Sequence, residues 1–377
     1  MQYRYFTKDN LKVSTLGFGC MRLPILNDDS GTIDEQKATD MIRYAIDNGV
    51  NYIDTAYPYH KGNSETFVGK VLRDGYREKV YLATKLPVWL TESYEDFERY
   101  LDEQLNRLNT DYIDFYLLHS LTKKTWEDIK ELNVLHFLDE AKRQGKIKYT
   151  GFSFHDHRDV FKDIVDSYPW DFCQIQLNYM DRDYQAGLEG LKYAKEKGLS
   201  VVIMEPIKGG KLSNASEEIQ KIWDKSHIKR TPSEWALRWL YNFPEISVVL
   251  SGMSTMDHVI ENIKTASDGI PNSLQQEELK LIDEVTKIYN EKVKVGCTGC
   301  EYCLPCPNGV SIPDIFELYN NVYVYGTKNQ SMNIYNNLIK AREDANQCIE
   351  CGHCEGLCPQ HLDIINLLKD ANGSLSR

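Results

Sequence analysis

The chain has 377 residues, room for one large domain and a small one. Its 44 basic against 56 acidic side chains leave a formal charge of −12, which argues against nucleic acid or an anionic membrane as the main partner. The start, Met1-Gln2-Tyr3-Arg4-Tyr5, has no apolar stretch of a signal peptide, and no run approaches the ~18 apolar residues of a membrane span. The expected setting is the cytoplasm, with no membrane attachment.

From about residue 14 to 267, short apolar runs alternate with amphipathic ones. The first run is Leu16-Gly17-Phe18-Gly19. Ala38, Met41, Ile42, Ala45 and Ile46 then take the spacing of one apolar helical face, closed by Asn48-Gly49. Next come Tyr52-Ile53-Asp54, Val80-Tyr81-Leu82-Ala83-Thr84-Lys85 and Ile113-Asp114-Phe115-Tyr116-Leu117-Leu118-His119. Gln144-Gly145 and Lys197-Gly198 close two further helical patterns, and the later runs are Phe172-Cys173-Gln174-Ile175, Val201-Val202-Ile203-Met204 and Ser247-Val248-Val249-Leu250. Runs apolar on both faces suit parallel strands covered by helices. Eight strand–helix units predict an α/β fold of the (β/α)8 TIM barrel type. A doubly wound sheet is the alternative, but no G-x-G-x-x-G opens a helix. Residues 274–292 read as one more helix, which sets the domain boundary: a barrel over 1–292 and a small, mainly helical domain over 293–377.

Eight of the ten cysteines lie in that small domain, in two runs that each end in Cys-Pro. The first run is Cys297, Cys300, Cys303 and Cys306, and the second is Cys348, Cys351, Cys354 and Cys358. Thiolates at every third residue closed by Cys-Pro form the bacterial ferredoxin pattern, in which each run gives three ligands to one cluster and its fourth cysteine to the other. Two [4Fe–4S] clusters are therefore predicted. Disulfides and structural zinc are the competing readings of such cysteines. The first run has only Leu304-Pro305 before its last cysteine, which sets Cys306 apart as a ligand. The intervening segment carries helical patterns at Ile312, Ile315, Phe316 and Tyr319, then at Tyr335, Leu338 and Ile339. Cys20 and Cys173 stand outside the runs and read as buried thiols.

In a barrel, polar residues at the C-terminal ends of strands line the active site. Three consecutive apolar runs end in Asp54, Lys85 and His119, and Tyr59 follows Asp54 by five residues. A lysine and an aspartate buried there must pair, because an isolated charge away from water is strongly unfavourable. A cation beside Tyr59 would lower its phenol pKa, as a general acid–base near neutral pH requires.

At these residues the chain resembles the aldo-keto reductase family, over roughly residues 3–290. The likeness rests on Gly17-Phe18-Gly19-Cys20-Met21-Arg22, Asn51 to Tyr59, Leu82 to Lys85, Asp114 to His119, Gly151-Phe152-Ser153, Gln174 to Tyr179, Ser251 to Ser254, and Glu261-Asn262. The resemblance implies a catalytic tetrad of Asp54, Tyr59, Lys85 and His119: Tyr59 donates the proton, Lys85 and Asp54 set its pKa, and His119 orients the carbonyl. It also implies NAD(H) or NADP(H) across the barrel mouth, held by Gly19, Cys20, Met21, Asp54, Ser153, Gln174, Met204, Pro206, Ile207, Ser251, Gly252, Met253, Glu261 and Asn262. The fused cysteine domain matches a ferredoxin-like subgroup of that family. The chain departs from the family pattern in three places. Phe154 stands where the family usually has Asn, Met204 where a tyrosine stacks on the nicotinamide, and His258 where an arginine often holds a 2′-phosphate.

The expected function is reduction of an aldehyde or ketone by NAD(P)H. Hydride transfer moves two electrons at once, whereas each cluster passes one at a time. A second reading therefore has the clusters relay electrons from a ferredoxin or another carrier through a flavin or radical step. FMN would fit a barrel phosphate site, although no flavin motif is present. A third reading is a non-catalytic, nucleotide-binding redox sensor, which the intact tetrad opposes.

Overall fold

Eight strands close into a parallel barrel in the order β10-β3-β4-β5-β6-β7-β8-β9, in the computed structural model of the chain. The model describes every residue except 7, 8, 28, 298, 300, 301, 359 and 377. Cys300 thus lies outside the described residues. A hairpin of β1 (Tyr3–Phe6) and β2 (Leu11–Ser14) precedes the barrel. The barrel strands are β3 (Leu16–Gly19), β4 (Tyr52–Asp54), β5 (Tyr81–Leu86), β6 (Ile113–Leu121), β7 (Ile147–Phe154), β8 (Phe172–Gln176), β9 (Ser200–Met204) and β10 (Ile246–Ser251). Each apolar run of the sequence became a strand within a residue or two.

The hairpin had no signal of its own in the sequence, and its placement explains why it forms. Phe6 enters the end of the barrel where the strands begin, with its ring 4.7 Å from Phe115 and 5.8 Å from Phe172. Val13, Tyr52, Ala83, Leu117, Val202, Val248 and Leu250 complete that buried cluster. Burial of an aromatic ring, worth roughly 1.5–3 kcal/mol, holds a four-residue strand that propensity alone would not.

Helices cover the strands: α1 (Glu35–Asp47), α2 (Ser64–Val71), α3 (Tyr94–Leu108), α4 (Lys123–Glu131), α5 (Val134–Arg143), α6 (Arg158–Ser167), α7 (Gly187–Glu196), and, after α8 (Glu217–Trp223), α9 (Pro232–Tyr241) and α10 (Met256–Ser267). Helices α8 and α11 (Gln276–Glu291) belong to the second compact unit described below. The buried face of α1 is the predicted one, Ala38, Met41, Ile42, Ala45 and Ile46. Helices α5 and α7 are each followed by a glycine at positive φ, Gly145 at 76° and Gly198 at 82°, a conformation in which a side chain would be strained.

The chain divides into two compact units, one of residues 1–209 with 233–274 and one of 210–232 with 275–377. The second unit adds α12 (Ile312–Tyr325), α13 (Lys328–Ala341), α14 (His353–Leu357) and α15 (Ile364–Leu375). It is helical, as the spacing between the cysteine runs predicts. Its core joins Ile312, Ile315, Phe316, Tyr335, Ile364 and Leu368 to Cys303, Cys354 and Cys358. Ile339 of the predicted α13 pattern is 38% exposed, so that helix buries a narrower face than expected. Among the described residues, no helix is long and apolar enough to cross a membrane.

Helices α2 and α3 approach closely at Gly69. A Cβ there would lie 2.6 Å from the Arg107 carbonyl oxygen and 2.7 Å from the Leu108 backbone. In an open helix Gly→Ala gains roughly 0.5–1 kcal/mol, but a clash with backbone cannot be relieved by a rotamer change. Gly69→Ala is expected to lower stability by about 1–2 kcal/mol, read as a lower urea midpoint at unchanged m. A raised midpoint would show that the two helices separate freely.

Candidate active site and cysteine cavity

Alternation along the strands decides which side chains reach the barrel interior. Tyr52, Ala83, Phe115, Leu117, Phe172, Val202 and Val248 fill its core. Two or four residues further on, the same inner faces carry Asp54, Lys85, His119, Gln174 and Met204. The tetrad residues therefore sit above the core, at the ends where the strands finish.

Lys85 is fully buried, and its ammonium spends three donors on fixed acceptors. Nζ donates to Asp54 Oδ1 at 2.8 Å, to the Thr55 carbonyl at 2.8 Å and to the Tyr59 hydroxyl at 3.3 Å. Burial alone would lower the Lys85 pKa, but Asp54 and Tyr59 outweigh it, so the group is held above its ordinary value and stays charged. Burial pushes the Asp54 carboxyl up, with Lys85 opposing. The phenol of Tyr59 differs from the sequence expectation. Burial pushes its pKa up by more than Lys85 pulls it down, and Asp54 adds to the rise. Spacing revealed the cation beside the tyrosine but not the loss of water around it.

His119 closes the group. Its ring lies 6.1 Å from that of Tyr59 in edge geometry and 5.1 Å from that of Trp89. Burial, aided by the charge of Lys85, drives its pKa well below the usual value, so the imidazole is neutral. Its Nδ1 is buried with no hydrogen-bond partner. Just beyond, the β6–β7 register shifts between Leu118 and Leu121, and Ser120 takes φ 56° while its N–H donates to Ser153 Oγ at 2.7 Å. This irregularity breaks the register of the strand beside His119, and pairing resumes at Leu121 with Phe154.

His155 is a residue that the sequence reading missed. It continues the alternation of Gly151 and Ser153, its backbone N–H donates to the Leu121 carbonyl at 2.9 Å, and it acts electrostatically on His119. Burial lowers its pKa as well. The available signal was period-two counting past Ser153. Phe154 lies on the opposite face and packs on Phe161 of α6, with ring centroids 5.2 Å apart.

The residues expected to hold a nucleotide form an arc over β3, β7, β8, β9 and β10. Gly19 ends β3, Cys20 is buried beneath the following turn with its thiol pKa pushed up by burial, and Met21 is exposed. Gln174 Nε2 meets Met204 Sδ at 3.5 Å, while Gln174 Oε1 is buried without a partner. Pro206 is buried and Ile207 half-buried in the loop after β9. Asn262 Nδ2 donates to Ser251 Oγ at 2.9 Å, tying α10 to the end of β10. Glu261 is half-buried beside it, Met253 is buried, and the Arg22 side chain lies against Gly252, where a Cβ would meet it at 3.3 Å. Unsatisfied buried atoms on Gln174 and His119 fit a polar ligand above the core.

In the second unit, Cys306, Cys348, Cys351 and Cys354 line one small cavity. Its apolar wall comes from Val310, Ile312, Ile365 and Leu368. Three cysteines of the second run thus meet the last cysteine of the first, despite the shortened spacing before Cys306. Cys303 and Cys358 are buried in the adjoining core and Cys297 packs against it. Four thiols facing one apolar-walled cavity fit an iron–sulfur cluster. Among the described residues, no three His, Cys, Asp or Glu side chains gather closely enough for a single metal ion.

The model of the Aldo/keto reductase family matches residues 15–287, and that of the 4Fe-4S dicluster domain matches residues 296–363. The chain is similar to the uncharacterized oxidoreductase YqkF of Bacillus subtilis, 29% identical over 317 residues covering 76% of this chain and 97% of the relative. It is similar to L-galactose dehydrogenase of Arabidopsis thaliana, 28% identical over 306 residues covering 76% and 94%. Its fold is similar to that of aldo-keto reductase AKR11C1 from Bacillus halodurans in the holo form, with a TM-score of 0.63 and 30% identity over 75% of this chain and 96% of that one.

The low pKa of His119 has a measurable consequence. The unfolded chain binds a proton near pH 6.5 that the folded site refuses, so this residue's contribution to stability is complete above that pH and is lost as pH falls below it. Imidazole nitrogen NMR at about pH 6 is expected to show His119 neutral. A His119 resonance titrating at the ordinary value would mean that the site is open to water.

Proposed function

The chain belongs to the Aldo/keto reductase family, and on that premise we propose that it reduces the carbonyl of a small aldehyde or ketone with NAD(P)H, using Tyr59 as proton donor. The carrying observation is the contact of one buried ammonium, Lys85, with both Asp54 and the Tyr59 hydroxyl. Nicotinamide, when bound, supplies the hydride. Tyr59 gives its proton to the carbonyl oxygen. Its raised pKa keeps that proton in place in the resting site, and Lys85 offsets the negative charge that develops on the phenol oxygen as the proton leaves. Asp54 holds Lys85 charged and fixed in position. Neutral His119 orients the carbonyl by a hydrogen bond, and the unpaired Gln174 Oε1 with Ser153 holds the nicotinamide amide. Backbone at Gly19–Met21, Pro206–Ile207 and Ser251–Met253, with Glu261 and Asn262 behind, carries the rest of the dinucleotide. The start of α10 is suited to a phosphate.

The functional division would fall at 292/293, a boundary that the interval between the two family matches, residues 287 and 296, supports. Cys348, Cys351, Cys354 and Cys306 would hold one [4Fe–4S] cluster, supported by the shared cavity. Cys297, Cys300, Cys303 and Cys358 would hold the other. The clusters supply one-electron transfer. The dicluster match favours a second reading in which electrons pass between these centres and an external carrier such as a ferredoxin. Either reading belongs in a reducing cytoplasm.

Tyr59→Phe is expected to lower kcat on a good carbonyl substrate by about 10²–10⁴-fold with nucleotide Kd nearly unchanged. Wild-type turnover in that variant would remove the proton-donor role.

Anaerobically purified protein is expected to hold about eight irons and eight sulfides per chain, and Cys306→Ser to lose about half of them. Iron near four per chain, unaltered by Cys306→Ser, would reduce the proposal to one cluster.

A further inference from the structure

We propose that His60 is a positioning residue for Tyr59, joining the turn that bears the phenol to residues 23–27 and 29–33 of the loop after β3 by hydrogen bonds; the proposal rests on the reductase reading of Tyr59. The turn closes backbone hydrogen bonds of its own, Tyr59 N–H to the Ala56 carbonyl at 3.2 Å and Asn63 N–H to the His60 carbonyl at 3.1 Å, but it carries strain between them. Directly after Tyr59 the chain passes through three left-handed residues, His60 at φ 52°, Lys61 at φ 54° and Gly62 at φ 89°, of which only the glycine takes that conformation freely. Two strained residues beside a reacting group persist only where the surroundings impose them.

The surroundings here are the loop that follows β3. His60 is 8% exposed and uses both ring nitrogens. Nδ1 faces the Ser30 carbonyl at 2.7 Å, and Nε2 faces the Leu23 backbone N–H at 3.3 Å. A carbonyl only accepts and an amide N–H only donates, so the ring is neutral with its proton on Nδ1. On either side, Lys61 Nζ pairs with Asp29 Oδ1 at 2.6 Å, and Asn63 Nδ2 donates to the Gly31 carbonyl at 2.8 Å. The Lys61 and Asp29 side chains are 66% and 44% exposed, so that pair contributes little, and the buried imidazole is the main tie.

The loop is internally braced. Ile25 bridges Ile33, Leu26 N–H donates to the Thr32 carbonyl at 2.9 Å, and Asp34 N–H donates to the Pro24 carbonyl at 2.8 Å. It leaves Ile25 and Leu26 exposed at the end of the barrel where the tetrad lies. An imidazole that fixes this loop to residue 60 thereby fixes the backbone next to residue 59. The phenol must stay within reach of Lys85 Nζ, now at 3.3 Å, and a displacement of about 1 Å costs on the order of 10²-fold in rate.

The test uses full-length protein carrying His60→Phe, His60→Gln or, as control, Tyr59→Phe. Hydrogen–deuterium exchange follows the amides of 23–33 and 59–63, and kcat, KM and nucleotide Kd are measured with benzaldehyde and NAD(P)H. His60→Phe, which keeps the ring but no hydrogen bond, is expected to speed exchange in both segments and to lower kcat about 10–100-fold at unchanged nucleotide Kd. His60→Gln, whose amide offers one donor and one acceptor, is expected to recover most of the loss. A purely structural role would lower the unfolding midpoint of both variants without a split between kcat and Kd. Unchanged exchange in His60→Phe, or wild-type kcat where Tyr59→Phe is inactive, overturns the proposal. If His60→Phe does not fold, His60→Leu, which also lacks both hydrogen bonds, takes its place: faster exchange in both segments with reduced kcat supports the role, and wild-type values for both overturn it. Wild-type carbonyl reduction in Tyr59→Phe removes the proton-donor role of Tyr59, and the positioning role with it, whereas wild-type protein that reduces no carbonyl overturns the reductase reading itself.

Discussion

A full positive charge with no water around it organises the barrel mouth. Taking an ammonium out of water costs several kcal/mol even after relaxation, and the charge is tolerated only where good geometry returns that energy. Lys85 meets this condition with three acceptors, all drawn from β4 or the turn after it. The same contacts therefore fix β4 against β5 and bring Tyr59 over the pair. A second buried charge braces β5 from outside. Glu65 of α2, fully buried, accepts from Thr84 Oγ1 at 2.6 Å and from Gln104 Nε2 at 2.6 Å, and Arg107 lies at 3.3 Å. Gln104 also donates to the Lys85 carbonyl at 3.0 Å. Lys85 is thus held by its head from inside the barrel and by its backbone from the helical layer.

This arrangement explains what the sequence made legible. Period-two alternation leads from core residues such as Tyr52, Ala83 and Leu117 to Asp54, Lys85 and His119, because strand geometry is local. Tyr59 was picked out by its place on the loop five residues after Asp54, but its role as proton donor came from family likeness, since no local rule brings a loop tyrosine back over a strand. His155 obeyed the alternation and was passed over because it lies beyond the apolar run. The β1–β2 hairpin was invisible for a different reason. Its stability comes from Phe6 packing on rings of β6 and β8 more than 100 residues away in sequence.

The sign of the Tyr59 shift marks a further limit. Charges can be counted along a sequence, but desolvation belongs to the folded surroundings. A lysine beside a phenol favours phenolate, yet burial of both, with Asp54 close, moves the net balance the other way. The functional consequence is coherent. In the proposed role, a proton donor should keep its proton until the carbonyl oxygen demands it, and Lys85 would then stabilise the charge left behind. Cys306 makes the same point for the second unit. Its irregular spacing set it apart, while the fold brings it to the cavity that Cys348, Cys351 and Cys354 share.

The two units pose different electron counts. Asp54, Tyr59, Lys85 and His119 all lie within residues 1–209 and within one compact unit. Every proton-handling contact among them is complete without the cysteine region. Hydride transfer delivers both electrons together and needs no one-electron relay. Two clusters would store the same two electrons in separate steps. The tetrad would account for the proposed carbonyl chemistry but gives no reason for the second unit. One-electron exchange with another carrier would supply that reason, so the cysteine cavity and the tetrad are to be tested as separate chemical systems before any coupling between them is assigned.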